Sequence, residues 1–213
     1  MNLVLASFCL IFAQSAPELT LPRHPSLSPN ATQVAFSHQG DIWVANVSDG
    51  RAQRLTAHDA YDARPMWSPD GKTLAFASNR HSNWDIFSIP AVGGQPQRMT
   101  WHSDGEKLHG WIDNERVLIG AQRDRRYSRR DNGAWVAYVD GRTPTIIGDW
   151  AMKNPELSAD GTLMIYERGH GDQSRRAYRG PASSALWSYS FTADKHTELT
   201  VFDGNDLQPS LGP

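Results

Sequence analysis

Residues 123–130 read Arg-Asp-Arg-Arg-Tyr-Ser-Arg-Arg, which puts five arginines in eight positions. A second cluster, Arg175, Arg176 and Arg179 around Tyr178, follows later in the chain. Guanidinium groups stay charged at any physiological pH and present a planar fork that fits carboxylates and phosphates. The chemistry these residues support is therefore recognition of anions rather than bond cleavage. Three roles fit: capture of a peptide's acidic groups or C-terminus, pairing with acidic residues of other domains, or a solvated loop. The candidate binding residues are Arg125, Arg126, Arg129, Arg130, Arg175, Arg176 and Arg179.

Residues that could break bonds do not cluster in this way. There is no Gly-x-Ser-x-Gly elbow, and the eight histidines are scattered with no His-Glu-x-x-His and no close pair at metal-ligand spacing. Cys9 is the only cysteine, so neither a disulfide framework nor a cysteine-ligated metal is available. No catalytic residue, metal or cofactor is expected in this chain. His58 and His102 follow Thr56 and Thr100 at matching positions, which assigns them to turns. A net charge of −2 and a pI near 6.4 argue against a nucleic-acid partner.

The elements that position the arginines come from a repeat. One unit holds His24-Pro25-Ser26-Leu27-Ser28-Pro29-Asn30, Val34-Ala35-Phe36, Asp41-Ile42-Trp43-Val44 and Gln53-Arg54-Leu55-Thr56. The next holds Arg64-Pro65-Met66-Trp67-Ser68-Pro69-Asp70-Gly71, Leu74-Ala75-Phe76, Asp85-Ile86-Phe87 and Gln97-Arg98-Met99-Thr100. A degenerate third unit runs through Gly110-Trp111-Ile112-Asp113-Asn114, Val117-Leu118-Ile119, Ala134-Trp135-Val136 and Thr145-Ile146-Ile147. A fourth has Asn154-Pro155, Asp160-Gly161, Leu163-Met164-Ile165, Ala185-Leu186-Trp187 and Glu198-Leu199-Thr200, and Gln208-Pro209-Ser210 opens a fifth. The step is 40 residues from Pro25 to Pro65 and 54 from Pro155 to Pro209.

Short β-branched and aromatic runs bounded by Pro, Asp, Asn and Gly are strands, and no stretch sustains a 3.6-residue apolar period. In the second unit strands are expected over 63–68, 73–79, 84–90 and 96–101. Four strands in about 45 residues is the size of a propeller blade. The fold class is all-β: an incomplete β-propeller of about four blades, at 24–60, 61–106, 107–153 and 154–206, with a stub at 207–213. Leu74, Phe76, Ile86 and Phe87 need apolar neighbours on both faces of their sheet, so blades must stack around an axis. In that arrangement residues 123–130 form the loop between the second and third strands of blade 3. Arg175, Arg176 and Arg179 occupy the equivalent loop of blade 4, so eight arginines are expected on one rim. The eight tryptophans are assigned mainly to blade cores.

Residues 1–15 differ from the rest. Leu3, Val4, Leu5, Phe8, Leu10, Ile11 and Phe12 make an apolar run too short to span a bilayer, followed by Ala13-Gln14-Ser15-Ala16. This pattern is expected to be a signal peptide cleaved near Ser15 or Ala16, giving an exported, periplasmic or extracellular protein without membrane insertion after cleavage.

Ser68-Pro69-Asp70-Gly71-Lys72, Leu74-Ala75-Phe76, Asp85-Ile86-Phe87 and Arg98-Met99-Thr100 resemble the blades of TolB, the prolyl oligopeptidases and the tricorn proteases. Three features resemble the tricorn type: a propeller directly after the apolar leader, the passage from Trp101-His102 to Gly110-Trp111, and Tyr178-Arg179-Gly180 before Leu186-Trp187. The resemblance covers about residues 20–213 and implies the N-terminal propeller of an exported serine peptidase, truncated at its C-terminal side. In that family the catalytic serine, histidine and glutamate lie in later segments, and the propeller filters or channels peptides. The implied partners are peptides or the remaining domains of the same protein, with a homo-oligomer of the full-length protein also implied. An adjacent arginine pair early in the family's third blade holds the substrate's terminal carboxylate, and the matching stretch here, His102-Ser103-Asp104-Gly105-Glu106-Lys107, has no such pair. A TolB-like binding or scaffold propeller without enzymatic activity is the alternative.

Overall fold

The computed structural model describes residues 21–123, 133–148, 152–169, 183–200, 206 and 208–211. These form four separate four-stranded antiparallel sheets. The first contains β1 (Arg23–Leu27), β2 (Gln33–His38), β3 (Asp41–Asn46) and β4 (Ala52–Arg54). The second contains β5 (Asp62–Trp67), β6 (Thr73–Ser78), β7 (Asp85–Pro90) and β8 (Gln97–Arg98). The third contains β9 (Lys107–Trp111), β10 (Arg116–Ala121), β11 (Gly133–Tyr138) and β12 (Thr145–Gly148). The fourth contains β13 (Met152–Leu157), β14 (Leu163–Arg168), β15 (Ala185–Ser190) and β16 (Lys195–Glu198). Every sheet pairs its strands in chain order. The described residues are therefore four blades of a β-propeller whose ring is not closed.

The repeat specifies the cores between blades. Along β6, Leu74 and Phe76 face blade 1, where they pack with Ala35, Ile42 and Val44. Ala75 and Ala77, on the opposite face, pack with Leu108, Trp111, Val117 and Ile119 of blade 3. On β10 the alternation is the same: Val117 and Ile119 face blade 2, and Leu118 joins Met152, Met164 and Tyr166 of blade 4. The period of two turns adjacent side chains into different inter-blade layers, which is why β6, β7, β10 and β11 are buried almost throughout. The fourth strand of each blade has one covered edge and is mostly exposed. Polar ties cross the same layers. Trp67 Nε1 donates to the Ser26 carbonyl at 3.0 Å, and Trp111 Nε1 to the Met66 carbonyl at 2.8 Å.

The Ser-Pro-Asp-Gly turn is closed by its side chains. Ser68 Oγ donates to Asp70 Oδ1 at 2.7 Å and accepts the Thr73 N–H at 3.0 Å, while Asp70 Oδ1 accepts the Lys72 N–H at 3.0 Å. The Ser68 hydroxyl, then the Lys72 N–H, holds the Asp70 carboxyl below its usual range. Gly71 sits at φ +69° and Gly161 at φ +68°, in the left-handed region that favours glycine. Blade 3 lacks the motif, and there Asp113 Oδ1 accepts the N–H groups of Glu115 and Arg116 at 2.9 and 2.8 Å.

In blade 2 the first three strands match the expected ranges to within about a residue. The fourth is shorter, at Gln97–Arg98. Its last residues leave the ladder because Thr100 Oγ1 accepts the Ile86 N–H at 2.9 Å and Arg98 reaches Asp85 at 2.7 Å. Blade 1 repeats this clasp with Thr56, Arg54 and Asp41. The turn role expected of the histidines is visible: His58 Nδ1 accepts the Ala60 N–H at 2.9 Å, and His102 Nδ1 the Asp104 N–H at 3.1 Å. The tryptophans divide. Trp67, Trp111 and Trp135 are core, whereas Trp84 and Trp101 are exposed.

Candidate functional site

Two regions could receive a ligand: the rim where the second and third strands connect, and the cleft between the innermost strands. All four sheets share one strand order, so the connections β10–β11 and β14–β15 leave from the same face. Arg125, Arg126, Arg129 and Arg130 lie outside the described residues, as do Arg175, Arg176 and Arg179.

Arg123, at the start of the first arginine cluster, is described, and it is not a rim residue. Its Nε donates to Glu106 Oε1 at 2.8 Å, its second nitrogen also reaches Glu106, and its guanidinium lies 5.9 Å from the Trp135 ring centre. Blade 2 has the same arrangement. Arg80 pairs with Asp62 at 2.6 Å and lies over the Phe76 and Phe87 rings. In blade 2 the acid opens the first strand, in blade 3 it immediately precedes it, and in both the arginine follows the second. Both pairs are almost wholly buried. Burial pushes the Glu106 carboxyl upward, with Arg123 opposing the shift. Arg123 is thus a repeated structural element of the blades.

The cleft of about 680 Å³ is lined by all four innermost strands, β1, β5, β9 and β13. Three of these strands carry a bulge at an X-Pro pair, His24-Pro25, Arg64-Pro65 and Asn154-Pro155. At each, the residue before proline has a positive φ, of 52°, 56° and 45°. A bulge re-aims its strand and its side chains. Strand β9 bulges between Leu108 and Gly110, so that His109 takes the place held by Pro65 in blade 2.

The cleft wall is cationic at this level. Burial lowers the His24 imidazole, and Arg64 and then Arg23 lower it further. Burial also pulls His109 down to about 3, with Lys107 and Arg64 adding to the effect. His109 is therefore a neutral imidazole at physiological pH. Glu156 lines the cleft too, immediately after the β13 bulge at Asn154-Pro155.

A family model, the tricorn protease N-terminal beta propeller domain, matches residues 20–212. The chain belongs to this family. Tricorn protease homolog 1 of Streptomyces coelicolor is 28% identical over 160 residues, which are 75% of this chain and 15% of that protein. The crystal structure of the tricorn protease superposes with a TM-score of 0.62 at 16% identity, covering 87% of this chain and 19% of that one. The crystal structure of TolB from Acinetobacter baumannii gives 0.62 at 18% identity, covering 86% and 44%. These structural likenesses are of fold. The chain spans about a sixth of the length of the curated tricorn homologue.

Within this tricorn propeller, the stretch 102–107 is built into the blade 2–blade 3 junction. Asn83 Nδ2 donates to the His102 carbonyl at 2.5 Å, and the Glu106 N–H to the Trp84 carbonyl at 2.7 Å. Among the described residues no group of three or more His, Cys, Asp or Glu side chains could hold a metal ion. The cleft residues His24, Arg64 and His109 were not singled out from sequence. The signal that could have found them is the repeat itself, in which the position before proline varies freely and His109 alone replaces the proline.

Proposed function

We propose that this tricorn propeller receives or gates peptide substrates for an exported serine peptidase whose bond-breaking residues lie in other domains. The observation that carries this reading is the family match across residues 20–212. Propeller folds host many activities, so the fold alone would not choose. Two physical features support it. By sequence the arginine clusters fall between β10 and β11 and between β14 and β15, and guanidinium groups suit a peptide's carboxylates. The open cleft is lined by strands of all four blades. The apolar run at residues 3–12 supports export to the periplasm or beyond. The partners in this reading are oligopeptides, the other domains of the full-length protein and further copies of it.

The test is hydrolysis. The full-length product of the gene is purified and incubated with unstructured oligopeptides, and products are read by mass spectrometry. Serine-dependent cleavage is expected. A product that binds peptides or proteins but cleaves none would replace this reading with that of a non-enzymatic scaffold propeller.

A further inference from the structure

We infer that the cleft between the innermost strands contains an anion-binding subsite, with Arg64 as its charge and His109 and His24 as flanking imidazoles, for a carboxylate or phosphate group. Three observations carry it. First, the Arg64 guanidinium has no acidic partner among the described residues, unlike Arg54, Arg80, Arg98 and Arg123, each of which is paired with a buried carboxylate. The Arg64 backbone N–H donates to Ser37 Oγ at 3.1 Å, which ties its main chain to blade 1. Second, Arg64 lies on the walls of two adjoining cavities, the central cleft and a smaller one of about 330 Å³. The acid of the smaller cavity, Glu106, is already engaged by Arg123. Third, His24 and His109 come from the strands on either side of β5 and line the same cleft as Arg64.

The geometry favours an anion over other occupants. A guanidinium on a concave wall beside two imidazoles can hold an anion by several hydrogen bonds at once. The neutral imidazole of His109 carries one N–H donor and one acceptor, so it can donate to an oxygen atom without adding charge. It stands where the repeat has proline, which has no donor at all. The fourth wall, β13, brings Glu156 to the same cleft, so the subsite is the part bounded by β1, β5 and β9. The subsite uses none of the clustered arginines at 123–130 and 175–179, and its occupancy does not depend on the parent protein being a peptidase.

Isothermal titration of the full chain tests the inference with three probes: an acetylated tripeptide with a free C-terminal carboxylate, the same tripeptide as its amide, and inorganic phosphate. Arg64→Asn removes the charge while keeping a residue that the repeat itself uses at this positive φ, since Asn154 occupies the equivalent place. His109→Gln keeps a donor and serves as the milder variant. Circular dichroism confirms that both variants fold. The expected result is binding of the acid tripeptide or phosphate about tenfold or more weaker in Arg64→Asn, with the amide bound poorly by every form. Preference for the acid tripeptide identifies the source as carboxylate, and preference for phosphate identifies it as phosphoryl. Equal binding of acid and amide without binding of phosphate, no binding of any probe, or unchanged affinity in Arg64→Asn overturns the inference.

Discussion

Gly161→Ala is the substitution for which the structure makes the sharpest statement about how blades are held together. Gly50, Gly71 and Gly161 share nearly one backbone conformation, with φ of 68°, 69° and 68°. An alanine at any of them must adopt the left-handed region, at a cost of about 1–2 kcal/mol. What differs is the space. A Cβ at Gly50 would meet nothing within 4 Å, and at Gly71 it would lie 3.6 Å from Pro29 Cδ, an ordinary contact. At Gly161 it would overlap the carbonyl of Ile112, a backbone group of the neighbouring blade that cannot swing aside. Relieving that overlap requires blades 3 and 4 to separate, and forced overpacking adds about 1–3 kcal/mol. The expected order is Gly50→Ala and Gly71→Ala alike, with Gly161→Ala less stable than either by about 2 kcal/mol. Urea unfolding followed by tryptophan fluorescence reads this directly. At a slope of about 2 kcal/mol per molar, the midpoint of Gly161→Ala should fall about 1 M below the other two. Three equal midpoints would refute the view that the blade 4 turn is wedged against blade 3.

The remaining predictions concern buried charge. Asp85 has no exposed side-chain surface and its partner Arg98 is 20% exposed, whereas Arg54, the partner of Asp41, is 46% exposed. Asp85→Ala should therefore cost about 3 kcal/mol by stranding a cation that water reaches poorly, and Asp41→Ala about 1–2 kcal/mol. Equal urea midpoints for the two variants would contradict this. His109 has a folded pKa lowered from 6.5 to about 3, first by burial and then by Lys107 and Arg64. A lowered base contributes stability that is present above its unfolded pKa and lost as pH falls. The wild type should thus lose stability relative to His109→Gln between pH 6.5 and pH 3, measured as the difference in urea midpoint at pH 7 and pH 4.5. Parallel pH profiles for the two proteins would show that His109 does not remain neutral in the folded state.

The blade architecture was legible because it repeats. The alternation in Leu74-Ala75-Phe76-Ala77 fixes which side chain enters which inter-blade layer, and the Asp-Gly turns mark the strand ends. The clasp of Asp41, Arg54 and Thr56 was visible as a recurring pattern, though its geometry was not. Arg123 shows the limit of reading charge along a chain. It belongs by position to the arginine cluster, yet its real counterpart is Arg80, and both neutralise an acid at or just before the start of a first strand. The cleft was hidden for a different reason. It forms where bulges in separate strands, 40 or more residues apart, turn His24, Arg64 and His109 toward a common space, and no local pattern joins them.

Whether this tricorn propeller handles peptides through its arginine clusters is read from substrate kinetics of the full-length product. Arg125, Arg126, Arg129 and Arg130 are changed together to alanine, and hydrolysis of an oligopeptide with a free C-terminus is measured against its amide. KM for the acid peptide should rise about tenfold or more, equivalent to at least about 1.4 kcal/mol of lost binding, with kcat little changed. Unchanged KM and kcat for both peptides, in a variant that folds and assembles as the wild type does, would contradict peptide handling by the clusters.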